Sequence, residues 1–137
     1  MNKLYLVGLF YFAACGDKNN NSPNVTITSH EDGVEVRDGF VEYFSAEVTD
    51  DDNEFDELNV AWYVGEELVC DWALVNEAGE STCEIIFAVG DNTVLATVRD
   101  PREAEGQSEL SIDVVATYAP EIELLTPVAD NKHYSNE

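Results

Sequence analysis

The sequence predicts an all-β domain, an antiparallel β-sandwich of about seven short strands. Three observations carry that expectation. Apolar residues alternate with polar ones at period two along most of the chain. Turns rich in Gly, Asp and Asn interrupt these runs at short intervals. No segment offers a capped helix with a continuous apolar stripe.

The elements follow in chain order. Val25 and Ile27 begin an edge strand after Pro23. The stretch from His30 to Gly33 is a turn, and Val34 and Val36 form a short second segment before Asp38 and Gly39. Phe40, Phe44, Ala46 and Val48 share an inward face, with Val41 and Tyr43 making the other face partly apolar. Leu58, Val60, Trp62 and Val64 follow an acidic segment, and the stretch bearing Cys70 reads as a long loop. Trp72 lies in that stretch, either in solvent or packed beneath it. Cys83, Ile85 and Phe87 give a further strand before the turn Gly90-Asp91-Asn92. Val94, Ala96 and Val98 come next, and after the loop from Asp100 to Gly106 come Leu110, Ile112 and Val114. Trp62 sits mid-strand, where its ring can fill the roughly 10 Å between two facing sheets. It is the expected core residue.

Composition narrows the functional classes. The chain carries 29 acidic and 6 basic residues, a formal charge of -23. Without a basic stripe there is nothing to neutralise phosphates, so nucleic acid is excluded as a partner. Adsorption to an anionic bilayer is disfavoured for the same reason. A hydrophobic fraction of 45% is that of a folded domain rather than a disordered acidic tail.

The N-terminus supplies a route to a membrane. Lys3 precedes an apolar run from Leu4 to Phe12, then Ala13, Ala14 and Cys15. The run is too short for a durable bilayer span but suits a signal peptide. Small residues before a cysteine resemble the lipobox of prokaryotic lipoproteins. That resemblance implies cleavage after residues 1–14, acylation of Cys15, and export to the cell membrane or outer membrane. An ordinary signal peptide, or a short anchor left in place, are the alternatives. Residues 15–22 read as a flexible tether. With Cys15 consumed, Cys70 and Cys83 are an even pair in an exported chain and are expected to form a disulfide. His30 and His133 are far apart in sequence and read as surface histidines, so no zinc site is expected.

The pattern Phe44-x-Ala46-x-Val48-x-Asp50, Leu58-x-Val60-x-Trp62, Gly90-x-x-x-Val94-x-Ala96-x-Val98-x-Asp100, Leu110-x-Ile112-x-Val114 resembles PKD-like and related immunoglobulin-like domains of prokaryotic surface proteins. The resemblance covers about residues 23–119. It implies that Asp50 ends strand B, Trp62 is the core tryptophan of strand C, Asp100 ends strand F, and Pro120 begins the next unit. Residues 120–137 echo the start of the first domain, each entered by a proline, and are expected to open a second, incomplete Ig-like domain.

The densest chemical feature runs from Asp50 to Glu57. Oxygen donors at one loop suit a hard cation such as Ca2+, and Asp50, Asp52, Glu54 and Asp56, joined by Asp100 across the pole, are the candidate ligands. The competing reading is a solvated charge run. An EF-hand is excluded, because Phe55 and Ala61 occupy its glycine and bidentate-glutamate positions. No nucleophile elbow, zincin motif or phosphate loop occurs, and Ser81 has no local histidine base, so no enzyme and no resident cofactor are expected. Tyr43 and Tyr63, opposite the core rows, are candidate contacts for a glycan or protein. The functional expectation is a non-catalytic extracellular structural or display module of a lipid-anchored surface protein. The alternative is a calcium-, glycan- or protein-binding adhesion module that uses the acidic B–C and F–G loops.

Overall fold

The computed structural model describes residues 19–123. The expected signal peptide at residues 1–14, the expected acylation site Cys15, His133 and most of the expected second-domain strand lie outside them. Eight strands form: β1 (Asn24–Ile27), β2 (Val34–Arg37), β3 (Val41–Thr49), β4 (Asn59–Val64), β5 (Glu67–Leu74), β6 (Glu80–Ile86), β7 (Thr93–Arg99) and β8 (Glu105–Val115). A single 3-10 turn at Phe55–Glu57 is the only other regular element among the described residues. The strands make two sheets, one in the order β1-β3-β6 and the other in the order β2-β8-β7-β4-β5.

Period-two alternation builds the space between the sheets. Along β3 the buried residues are Phe44, Ala46 and Val48, and along β7 they are Val94, Ala96 and Val98. Trp62 is 1% exposed. Its ring meets the edge of Phe44 at a centroid distance of 6.3 Å, and Phe44 meets Phe87 at 5.8 Å. Both pairs are edge-to-face, the arrangement that ring quadrupoles favour. The indole Nε1–H donates to Ser81 Oγ at 3.0 Å, which satisfies its one polar group. Ala96 faces Trp62 in the β4–β7 register, and its short side chain leaves room for the indole.

Three features depart from the expected outline. The first is β5, inside the stretch read as a loop. It is the outer strand of the five-stranded sheet, and its residues are exposed except for half-buried Cys70 and Trp72. A strand with no buried row has no alternation to display. The second is the pairing of β2 with β8, which is parallel, while every other strand pair is antiparallel. After β1 the chain crosses from one sheet to the other and keeps its direction, so β2 runs alongside β8. The third is Phe40, which precedes β3 and is 53% exposed. In its place the inward row ends with half-buried Glu42 at the rim.

The chain enters and leaves the sandwich at opposite poles. Asn24 pairs with Thr49 at the end of β3, beside the β3–β4 and β7–β8 loops. Gly106 meets Pro23 so closely that a Cβ there would run into the Pro23 carbonyl. At the far pole β8 ends at Val115 opposite Arg37, and Thr117 Oγ1 donates to the Asp38 carbonyl at 2.9 Å. No helix among the described residues is long and apolar enough to cross a membrane.

Candidate functional site

The acidic pole is built from the β3–β4 loop, the β7–β8 loop and the incoming chain. Asp50 Oδ1 accepts the Asp52 N–H at 2.8 Å, closing the loop upon itself. Asp52 Oδ2 accepts the Asn21 N–H at 2.6 Å. Glu54 caps the 3-10 turn and forms a reciprocal capping box with Glu57, and Glu54 and Asp56 border a shallow hollow with Phe55 and Glu77. Asp100, 3% exposed, accepts the Arg102 and Ala104 N–H groups at 2.8 Å each and the Asn20 amide at 2.5 Å. These bonds hold a turn in which Glu103 takes a φ of 68°.

The five candidate calcium ligands therefore occupy one pole without forming one cluster. Among the described residues no three His, Cys, Asp or Glu side chains are grouped so as to hold a metal ion. The physical reason is local: Asp50, Asp52, Glu54 and Asp100 are each engaged with backbone or capping partners. Two buried acceptors at the pole, Asp50 Oδ2 and Asn53 Oδ1, have no hydrogen-bond partner among the described residues.

Asp100 governs how this pole responds to acid. Burial alone would raise its carboxyl, but the hydrogen bonds from Asn20, Ala104 and Arg102, with the Arg102 charge behind them, hold it below the usual 3.8. A folded value below the unfolded one means stability that is present above the unfolded value and lost as pH falls through the folded one. Asp100→Asn is therefore expected to be less stable than the parent at pH 7, by about 1–2 kcal/mol. Thermal melts at neutral pH and below 3.8 should show the difference shrinking in acid; a constant difference would contradict the assignment.

The remaining singled-out side chains are drawn into packing. Ser81 accepts from Trp62, as above. His30 is not a free surface residue: its ring stacks on Phe44 at 4.1 Å, its Nδ1 pairs with Ser29 Oγ at 2.8 Å, and its Nε2 lies 4.0 Å from Glu42. The ring lies over the end of the core that Glu42 leaves polar. Tyr43 and Tyr63 belong to different sheets and cannot share a ligand.

Tyr63 instead borders a groove of about 410 Å³ on the outer face of the five-stranded sheet. Trp72 from β5, Thr97 and Arg99 from β7, and Glu105 and Gln107 from β8 complete its main walls. The Arg99 guanidinium lies 4.2 Å from the Trp72 ring centroid and donates to Glu105 Oε1 through Nε and Nη2, at 2.9 and 2.7 Å. The sequence does not reveal this site, because β5, which brings Trp72 to it, lacks the alternation of a half-buried strand. The available signal was Gly65-Glu66, a two-residue connection with Gly65 at φ 56°, where hairpin turns want glycine.

Comparison with known proteins fits this architecture. No protein-family model and no curated protein matches the chain. Among solved structures, a protein of Corynebacterium diphtheriae described as membrane anchored aligns over 79% of this chain, at 23% identity and a TM-score of 0.57. This chain spans 23% of that protein's chain. The PKD domain of an M14-like peptidase from a Thermoplasmatales archaeon aligns over 69% of this chain and 94% of its own, at 18% identity and a TM-score of 0.50. A titin and obscurin-like immunoglobulin-domain complex aligns over 73% of this chain and 99% of its own, at 13% identity and the same TM-score. The fold is an Ig-like, PKD-like β-sandwich. In Ig-like terms β3 is strand B, β4 is strand C, β7 is strand F and β8 is strand G, so Asp50 follows B and Asp100 follows F. The described residues form this sandwich with a charged pole at one end and a groove on the outer face of the five-stranded sheet.

Proposed function

We propose that the chain is a non-catalytic spacer or display module of an exported, lipid-anchored surface protein. The observation that carries this reading is the placement of entry and exit at opposite poles, which lets the domain stand in series between an anchor and whatever it presents. In this scheme residues 1–14 are removed, Cys15 carries the lipid, residues 15–22 form the tether, residues 23–119 form the sandwich, and residues 120–137 begin the next Ig-like unit. The membrane-anchored description of the similar Corynebacterium protein is in keeping with it.

The deciding experiment is expression of the full chain in a bacterial host with and without Cys15→Ser. The parent should label with a radiolabelled fatty acid and sediment with membranes until detergent is added. The Cys15→Ser variant should take no label and should not behave as a lipoprotein. A parent chain that stays unlabelled removes the anchoring part of the proposal.

A second reading, cation binding at the acidic pole, is favoured by the two unpartnered acceptors Asp50 Oδ2 and Asn53 Oδ1. A spacer should show a thermal midpoint indifferent to millimolar Ca2+. A specific site would add about 2.7 kcal/mol at 100-fold excess over its dissociation constant, and Asp50→Asn would abolish that gain.

A further inference from the structure

We propose that the groove across β5, β4, β7 and β8 is a binding site for a neutral oligosaccharide. Its volume of about 410 Å³ falls within the range of ligand pockets, and the argument for its occupant comes from its chemistry. Two aromatic side chains, Tyr63 and Trp72, border it. Apolar C–H faces of a sugar ring pack on such surfaces, while its hydroxyls require partners that both donate and accept.

The groove offers both. Arg99 and Glu105 use only part of their capacity on each other: Nε and Nη2 converge on Oε1, which leaves Glu105 Oε2 as an acceptor and Arg99 Nη1, on the far side of the guanidinium, as a donor. Sugar hydroxyls, which both donate and accept, can use either group. The Gln107 amide adds both capacities at the wall. Thr97, 4% exposed, places its side chain in the lining of the groove. Stacking on Trp72 and pairing with Glu105 hold the guanidinium in place before any ligand arrives.

Charge selects against the other ligand classes. An acidic ligand would compete with Glu105 for Arg99 and would approach a chain of formal charge -23. A cationic ligand is drawn by Glu66 and by the charge of the chain, but at Glu105 it would have to displace Arg99, which already holds that carboxylate through two hydrogen bonds. A neutral polyhydroxylated ring meets neither penalty. This proposal is independent of how the chain is anchored.

Isothermal titration calorimetry on the full chain tests it, using tetrasaccharides of glucose, mannose and galactose as neutral probes, with a hexuronate oligomer and tetralysine as charged ones. Saturable binding of at least one neutral probe is expected. Trp72→Ala and Gln107→Ala should each weaken it by about tenfold, which corresponds to about 1.4 kcal/mol, while Tyr43→Ala on the other sheet should leave it unchanged. Near-UV circular dichroism establishes that each variant is folded, and Gln107→Ala keeps the test valid if Trp72→Ala disturbs β5. No saturable binding by any neutral probe, equal binding in both groove variants, or preference for a charged probe would overturn the assignment.

Discussion

Replacing Trp62 with alanine is expected to cost the domain about 3–5 kcal/mol, the range for emptying a large buried aromatic site. The reason lies in how many neighbours depend on it. The indole fills the space between the sheets, meets the Phe44 ring, and supplies the hydrogen bond that occupies Ser81. Strands on both sides of β4 are in register with it, Cys70 in β5 and Ala96 in β7, and neither sheet can close over the gap without shifting those registers. Trp62→Phe keeps most of the ring but forfeits the bond to Ser81, so its cost should be smaller, about 1–2 kcal/mol. Urea unfolding followed by circular dichroism measures both, read from the midpoint at unchanged slope. A Trp62→Ala loss below about 1 kcal/mol would mean the core does not rest on this ring.

Loss of the Cys70–Cys83 disulfide should have the next largest effect, about 3 kcal/mol if the denatured chain gains the freedom of the opened loop. Its two cysteines are 13 residues apart in sequence, with Cα atoms 6.1 Å apart. The bond joins β5, the outer strand of one sheet, to β6, the outer strand of the other, and so closes one side of the sandwich. β5 has no buried row and is hydrogen-bonded to β4 alone. Reduction should therefore lower the urea midpoint and speed amide exchange in β5 more than in β7. The paired variant Cys70→Ala, Cys83→Ala should reproduce the reduced protein. Identical midpoints for oxidised and reduced chains would contradict this. Because Cys70 lies opposite Trp62, losses at the two sites should not add.

What could be read from the sequence was decided by burial. β3, β4, β6 and β7 each place one row inside, and their alternation is plain in Phe44-Ala46-Val48 or Val94-Ala96-Val98. β5 escaped because Leu68 and Leu74 point into solvent, 44% and 61% exposed, so its apolar residues follow no single face. The carboxylates of the acidic pole were visible, but their partners were not: Asn20 and Asn21 reach Asp100 and Asp52 across long sequence separations. The setting of His30 is hidden for a similar reason, since nothing near it in sequence announces a ring stacked on Phe44. The groove joins residues from four strands, and only the register of those strands brings Trp72 to Arg99.

The passage from one pole to the other also fixes a height. The eleven residues of β8 alone, at about 3.3 Å per residue, carry the chain about 36 Å along the sandwich. The same residues as loose coil would average about 18 Å between their ends and fluctuate around it. If Cys15 is fastened to a lipid leaflet, whatever follows residue 115 is held clear of the headgroups by a stiff strut whose length thermal motion does not shorten.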